Sequence, residues 1–141
     1  MDAIIPLGLG VGGGVIAAIA AMMTKRFSTL QLGLIVLTVA TAVIHLLYGI
    51  AGERLLLLNG VGYLALLAAL LLPISEGYKR PLRFVLAGYT LVTIVAYLVT
   101  HPSVDLVGGV TKLIELGLLL VLALTMRQAK TAKGDAMANG K

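Results

Sequence analysis

A chain of 141 residues that is 60% hydrophobic and only 12% charged, with mean hydropathy +1.06, cannot hide its apolar surface in a water-soluble fold, because a small domain leaves too much of itself outside. The absence of cysteine excludes disulfides, thiolate metal sites and cysteine nucleophiles. The net charge of +5 is scattered over loops and tail, as cations beside a lipid leaflet are, so no nucleic-acid partner is expected.

A helix needs about 20 apolar residues to cross the hydrocarbon core of a bilayer. Five stretches qualify, which predicts an all-α polytopic transmembrane bundle. The first covers residues 4–23. It has no Lys or Arg before Lys25, hence no positive n-region of a cleavable signal peptide, and is expected to stay as a helix. Its glycines match the dinucleotide fingerprint at Gly8, Gly10 and Gly13, but neither the preceding strand nor the following acid is there. They read better as small-xxx-small pairs, Gly8 with Gly12 and Gly10 with Gly14, continued by Ala17 and Ala21. Such pairs admit a closely packed helix, from this chain or from a partner.

The second span, 30–50, carries Thr38, Thr41, His45, Tyr48 and then Gly52 on one helical face. The short gap at Gly52-Glu53-Arg54 predicts a helical hairpin with the third span, 55–74. Breakers from Pro73 to Pro81 separate that span from the fourth, 83–100, whose stripe is Thr90, Thr93, Tyr97 and His101. Beyond His101-Pro102-Ser103 the fifth span, 106–126, aligns Asp105, Gly108, Lys112 and Glu115. The remaining 127–141 has no apolar face and is expected to be a disordered basic cytoplasmic tail.

The basic residues suggest an orientation. Lys25 and Arg26, then Lys79, Arg80 and Arg83, then Arg127, Lys130, Lys133 and Lys141 fall on one side of a five-span chain, against Arg54 alone on the other. The positive-inside rule then puts the N-terminus outside and the C-terminus in the cytoplasm, in the plasma membrane. Only an odd number of spans gives this alternation.

Ionisable side chains inside a membrane helix are costly and mark candidate sites. His45, Tyr48, Tyr97, His101, Asp105, Lys112 and Glu115 collect in the outer half of the expected bundle, while the inner half is nearly all Leu, Val, Ala and Ile. Each has a plain reading beside a functional one. Lys112 and Glu115 form a self-neutralising i,i+3 pair, or a proton or ion site with His45. His45 is satisfied by a threonine, a tyrosine or Glu115 across the bundle, or it ligates haem b opposite His101. Against haem, His101 precedes Pro102 and lies about 6 Å nearer the surface. No Ser-x-x-Lys, His-Glu-x-x-His or nucleophile elbow occurs, so neither a catalytic residue nor a metal site is assigned and an enzyme is not expected.

The segment from His45 through Gly49 to Ile50, followed by Asn59-Gly60-Val61-Gly62-Tyr63-Leu64 and by Lys112 and Glu115 in the last helix, resembles small uncharacterised multi-pass membrane proteins of archaea and bacteria. The resemblance covers about residues 30–124. It implies their topology and shared polar positions, and supplies no activity. The chain is therefore expected to be a non-enzymatic accessory or structural subunit, joined to itself or to other membrane subunits in the bilayer. The alternatives are a proton-linked carrier using His45, Lys112 and Glu115, and a haem-b anchor using His45 and His101.

Overall fold

The computed structural model describes Gly13, Ile16 and residues 27–72, 76–100 and 105–138, with side chains described except at 76 and 132–138. Among the described residues there are four helices and no strand: α1 (Thr29–Ile50), α2 (Arg54–Leu71), α3 (Glu76–Thr100) and α4 (Leu106–Ala138). All four are long and apolar enough to cross a membrane. They correspond to the second to fifth predicted spans. The first predicted span lies outside the described residues apart from two positions, and so do Gly8, Gly10, Gly12, Gly14 and His101. Gly13 is helical, and a β carbon there would lie 3.6 Å from Val43 of α1.

Local chemistry sets the helix limits. Ser28 and Gln31 form a capping box at the start of α1. The Gln31 amide donates to Ser28 Oγ at 3.3 Å, and the Ser28 amide donates to Gln31 Oε1 at 2.9 Å. Between α1 and α2 the chain reverses over three residues, and Gly52 takes φ +132° there, a conformation that L side chains avoid. The expected hairpin is thus present, and its helices touch closely. A β carbon on Gly49 would overlap the Leu57 backbone, and one on Gly60 would lie 2.7 Å from Leu46 Cγ and 2.8 Å from the Ala42 carbonyl oxygen. α2 stops at Leu71 instead of residue 74 because Leu72, two residues on from Leu70 and just before Pro73, is extended (φ −62°, ψ 144°).

Two boundaries correct the sequence reading. α3 starts at Glu76 instead of residue 83 and contains Pro81. Pro81 is the sixth residue of α3, one turn past its start, and the helix runs through it with the loss of one amide donor. α4 runs on to Ala138, through most of the segment expected to be disordered. Arg127, Gln128, Ala129, Lys130, Ala132 and Lys133 are strong helix formers, and extending an existing helix needs no new nucleus. With 33 residues, α4 is about 50 Å long at 1.5 Å per residue, well beyond the ~30 Å hydrocarbon thickness.

Each helix packs against the two beside it in a ring, α1 on α2, α2 on α3, α3 on α4 and α4 on α1, with the α1–α2 seam the most extensive. The shared core contains Leu34, Ile35 and Ala42 of α1, Tyr63, Leu67 and Leu70 of α2, Leu86 of α3, and Leu118 and Leu122 of α4. Outside, Leu55, Leu58, Val92, Val99, Leu113 and Leu120 are exposed. An apolar exterior around a core that includes polar groups inverts the arrangement of a water-soluble bundle.

Candidate functional site

The polar stripes of α1, α3 and α4 and the lone Tyr63 hydroxyl of α2 share one interior, because a polar group facing hydrocarbon without a partner is costly. They converge on the carboxylate of Glu115, nine residues into α4 and fully buried. Its Oε2 accepts from Lys112 Nζ at 2.5 Å, one turn earlier on the same helix. Its Oε1 accepts from Thr41 Oγ1 of α1 at 3.3 Å and from Tyr63 Oη of α2 at 3.4 Å. His45 Nε2 of α1 lies 3.6 Å from the same oxygen.

α3 closes the ring. Tyr63 Oη is 2.9 Å from Thr93 Oγ1, and Lys112 Nζ lies 3.5 Å from the Thr93 carbonyl oxygen. Thr93 Oγ1 also donates to the Thr90 carbonyl at 2.8 Å, which fixes its rotamer against its own helix. The rings of His45 and Tyr63 are 5.8 Å apart, and Tyr63 meets Tyr89 edge-on at 5.1 Å. Among the described residues every buried side-chain nitrogen and oxygen has a partner. Satisfied in this way, a polar core specifies one mutual register of its helices.

The sequence reading grouped His45, Lys112 and Glu115, and the fold brings these three into contact. Tyr97 is next to them, its ring 5.1 Å below the Lys112 ammonium. Asp105 lies further out and does something else: it caps α4. Its Oδ1 accepts from the Gly108 amide at 3.2 Å and from Tyr97 Oη at 2.8 Å. Tyr48 is half-buried one turn beyond His45 and is not among the groups touching Glu115.

Tyr63 is the member that sequence reasoning left out of the cluster. The sequence placed it on the outer side and in the segment 59–64 without joining it to His45 or Glu115, and its partners Thr93 and Glu115 are 30 and 52 residues away along the chain. The segments 45–50 and 59–64 place His45 against Tyr63 and hold the glycines of the α1–α2 seam.

Both ring nitrogens of His45 face protein oxygens: Nδ1 is 2.7 Å from the Thr41 carbonyl and Nε2 faces Glu115. His101, the other axial ligand of the haem-b reading, lies outside the described residues. No cluster of three or more metal-ligating side chains occurs among the described residues. No family model, no curated protein and no solved structure matches the chain.

Proposed function

We propose that the chain is a multi-pass, non-enzymatic membrane component, an accessory or structural subunit that joins another copy of itself or other membrane subunits. The observation that carries this reading is the Glu115 core, in which side chains of α1, α2 and α4 meet on one buried carboxylate and Thr93 of α3 joins through Tyr63 and Lys112. Such a core serves to hold helices in register, and its polar atoms are spent on one another. Outward, the bundle offers apolar side chains to lipid and to neighbouring helices.

The charge distribution supports five spans with the N-terminus outside. Arg80 and Arg83 near the start of α3 and Arg127 and Lys130 toward the end of α4 stand at one end of the antiparallel α3–α4 pair. Residues of that kind belong on the cytoplasmic side of a plasma membrane. Because the chain has no cysteine, single-cysteine variants in the 51–53 turn and near the C-terminus test the topology with a membrane-impermeant thiol reagent.

The functional test is purification in a mild detergent followed by native mass spectrometry. A defined complex, with itself or with another membrane protein, is the expected result; a monomer under every mild condition contradicts the subunit reading. A second reading, a proton-linked carrier, is supported by the meeting of His45, Lys112 and Glu115. It predicts a proton flux across vesicles that Glu115→Gln abolishes while the protein stays folded.

A further inference from the structure

The position of hydrogens around His45 follows from its neighbours. Nδ1 lies 2.7 Å from the Thr41 carbonyl oxygen, and a carbonyl only accepts, so Nδ1 carries a hydrogen. In a neutral ring Nε2 is then a bare lone pair. It points at Glu115 Oε1 across 3.6 Å, an oxygen that already accepts from Thr41 and Tyr63. Lone pair against carboxylate is unfavourable, and one proton in the gap converts it into a charge-assisted hydrogen bond.

The surroundings accommodate both states. Lys112 stays paired to the other carboxylate oxygen of Glu115 at 2.5 Å, so the carboxylate keeps a partner when the proton leaves. The titratable or charged groups facing His45 are Tyr63 from α2 and Lys112 and Glu115 from α4; α3 contributes Thr93 and, through Lys112, Tyr97. The extra proton raises the charge of the His45, Lys112 and Glu115 cluster by one.

Access is unequal at the two ends. Toward the Asp105 end burial falls in steps: Glu115 is sealed, the Lys112 side chain is 13% exposed, and Tyr97 bonds to exposed Asp105. Toward the opposite end Leu118 and Leu122 follow Glu115 at successive turns, packed with Leu34, Ile35, Leu67, Leu70 and Leu86. The buried threonines on that side, Thr38, Thr90 and Thr125, donate to carbonyls of their own helices at 2.7, 2.8 and 2.7 Å and provide no relay.

We infer that His45 and Glu115 form a proton-binding site that loads from water at the Asp105 end and is closed to the compartment at the Arg127 end. The inference is independent of the subunit reading, since it requires no partner.

The test uses the full chain, labelled with 15N-histidine and 13C-threonine and reconstituted in phosphatidylcholine vesicles selected for one orientation by a C-terminal tag. A His101→Gln substitution leaves His45 as the single histidine of the 141-residue chain, so that solid-state NMR of the ring nitrogens reads this site alone. Lowering the pH from about 8 to about 5, a range that brackets the ordinary histidine transition, is expected to convert Nε2 from unprotonated to protonated when the Asp105-side compartment is acidified. Acidifying only the other compartment is expected to leave the signal unchanged. An Nε2 that holds one protonation state throughout, or one that follows the Arg127-side compartment, overturns the proposal.

Discussion

Gly49 of α1 and Leu57 of α2 meet backbone to backbone, with no space for a β carbon between them. Eleven residues further along the chain Gly60 returns the contact, lying against Leu46 and the Ala42 carbonyl. The two glycines define a seam in which α1 and α2 approach more closely than side chains would permit, and that approach brings His45 beside Tyr63.

Gly49→Ala is therefore expected to destabilise the bundle by about 1–3 kcal/mol, the usual range for overpacking. Backbone atoms, unlike a flexible side-chain end, cannot turn aside. The measurement is the thermal unfolding midpoint in detergent. A midpoint equal to that of the unsubstituted protein would show the seam to be looser than described.

Glu115→Leu removes the acceptor from Thr41, Tyr63 and Lys112 at once. It leaves an ammonium largely buried without its counter-charge, and breaking a buried pair from one side costs about 3–5 kcal/mol. Adding Lys112→Met should recover part of that loss, so the double variant is expected to be more stable than Glu115→Leu alone. A double-mutant cycle read by reversible unfolding in mixed micelles gives the coupling. Strictly additive losses would mean that the two side chains do not act as a pair.

Tyr63→Phe deletes the hydroxyl that joins Thr93 to Glu115 but keeps the ring that packs on His45 and Tyr89. Since Glu115 and Thr93 retain other partners, the expected loss is small, about 1 kcal/mol. Tyr63→Ala also empties the fully buried ring volume and is expected to cost about 3–5 kcal/mol. The same unfolding assay ranks the two, and similar losses would contradict the division between ring and hydroxyl.

Asp105→Ala takes away the cap of α4 and the acceptor of Tyr97 Oη. The loss should be about 0.5–2 kcal/mol and should stay local. Hydrogen exchange is expected to quicken at the amides of residues 106–109 and not around Glu115. Faster exchange at residues 112–118 would show that the cap and the core are mechanically joined.

Much of the site was legible because helical periodicity carries it. Thr38, Thr41 and His45 on one helix, and Lys112 and Glu115 on another, fall on single faces, and a polar face in an apolar helix has to point inward. Tyr63 was not legible in that way, since one tyrosine has no period and its partners come from tertiary packing. The close-packing glycines expected in the first predicted span lie outside the described residues, and the described seam adds Gly49 and Gly60, which went unnoticed because single glycines at helix contacts have no local signature. The end of α4 was misread because apolarity guided the boundaries, and the helix beyond Met126 continues on the intrinsic preference of Lys, Arg, Gln and Ala.

The placement of the shared acceptor on α4 also bears on how the chain is made. Lys112 and Glu115 make α4 a poor segment to enter lipid alone, because each charge near a helix centre opposes insertion by about 2.5–3.5 kcal/mol. Thr41, His45 and Tyr63 precede it in synthesis, and their hydroxyl and imidazole groups are without Glu115 until α4 arrives. α4 is thus both the helix that most needs waiting partners and the one they need. Entry of α4 and closure of the bundle become a single step, and a chain halted before residue 115 has the donors of α1 and α2 with nothing at their centre to accept.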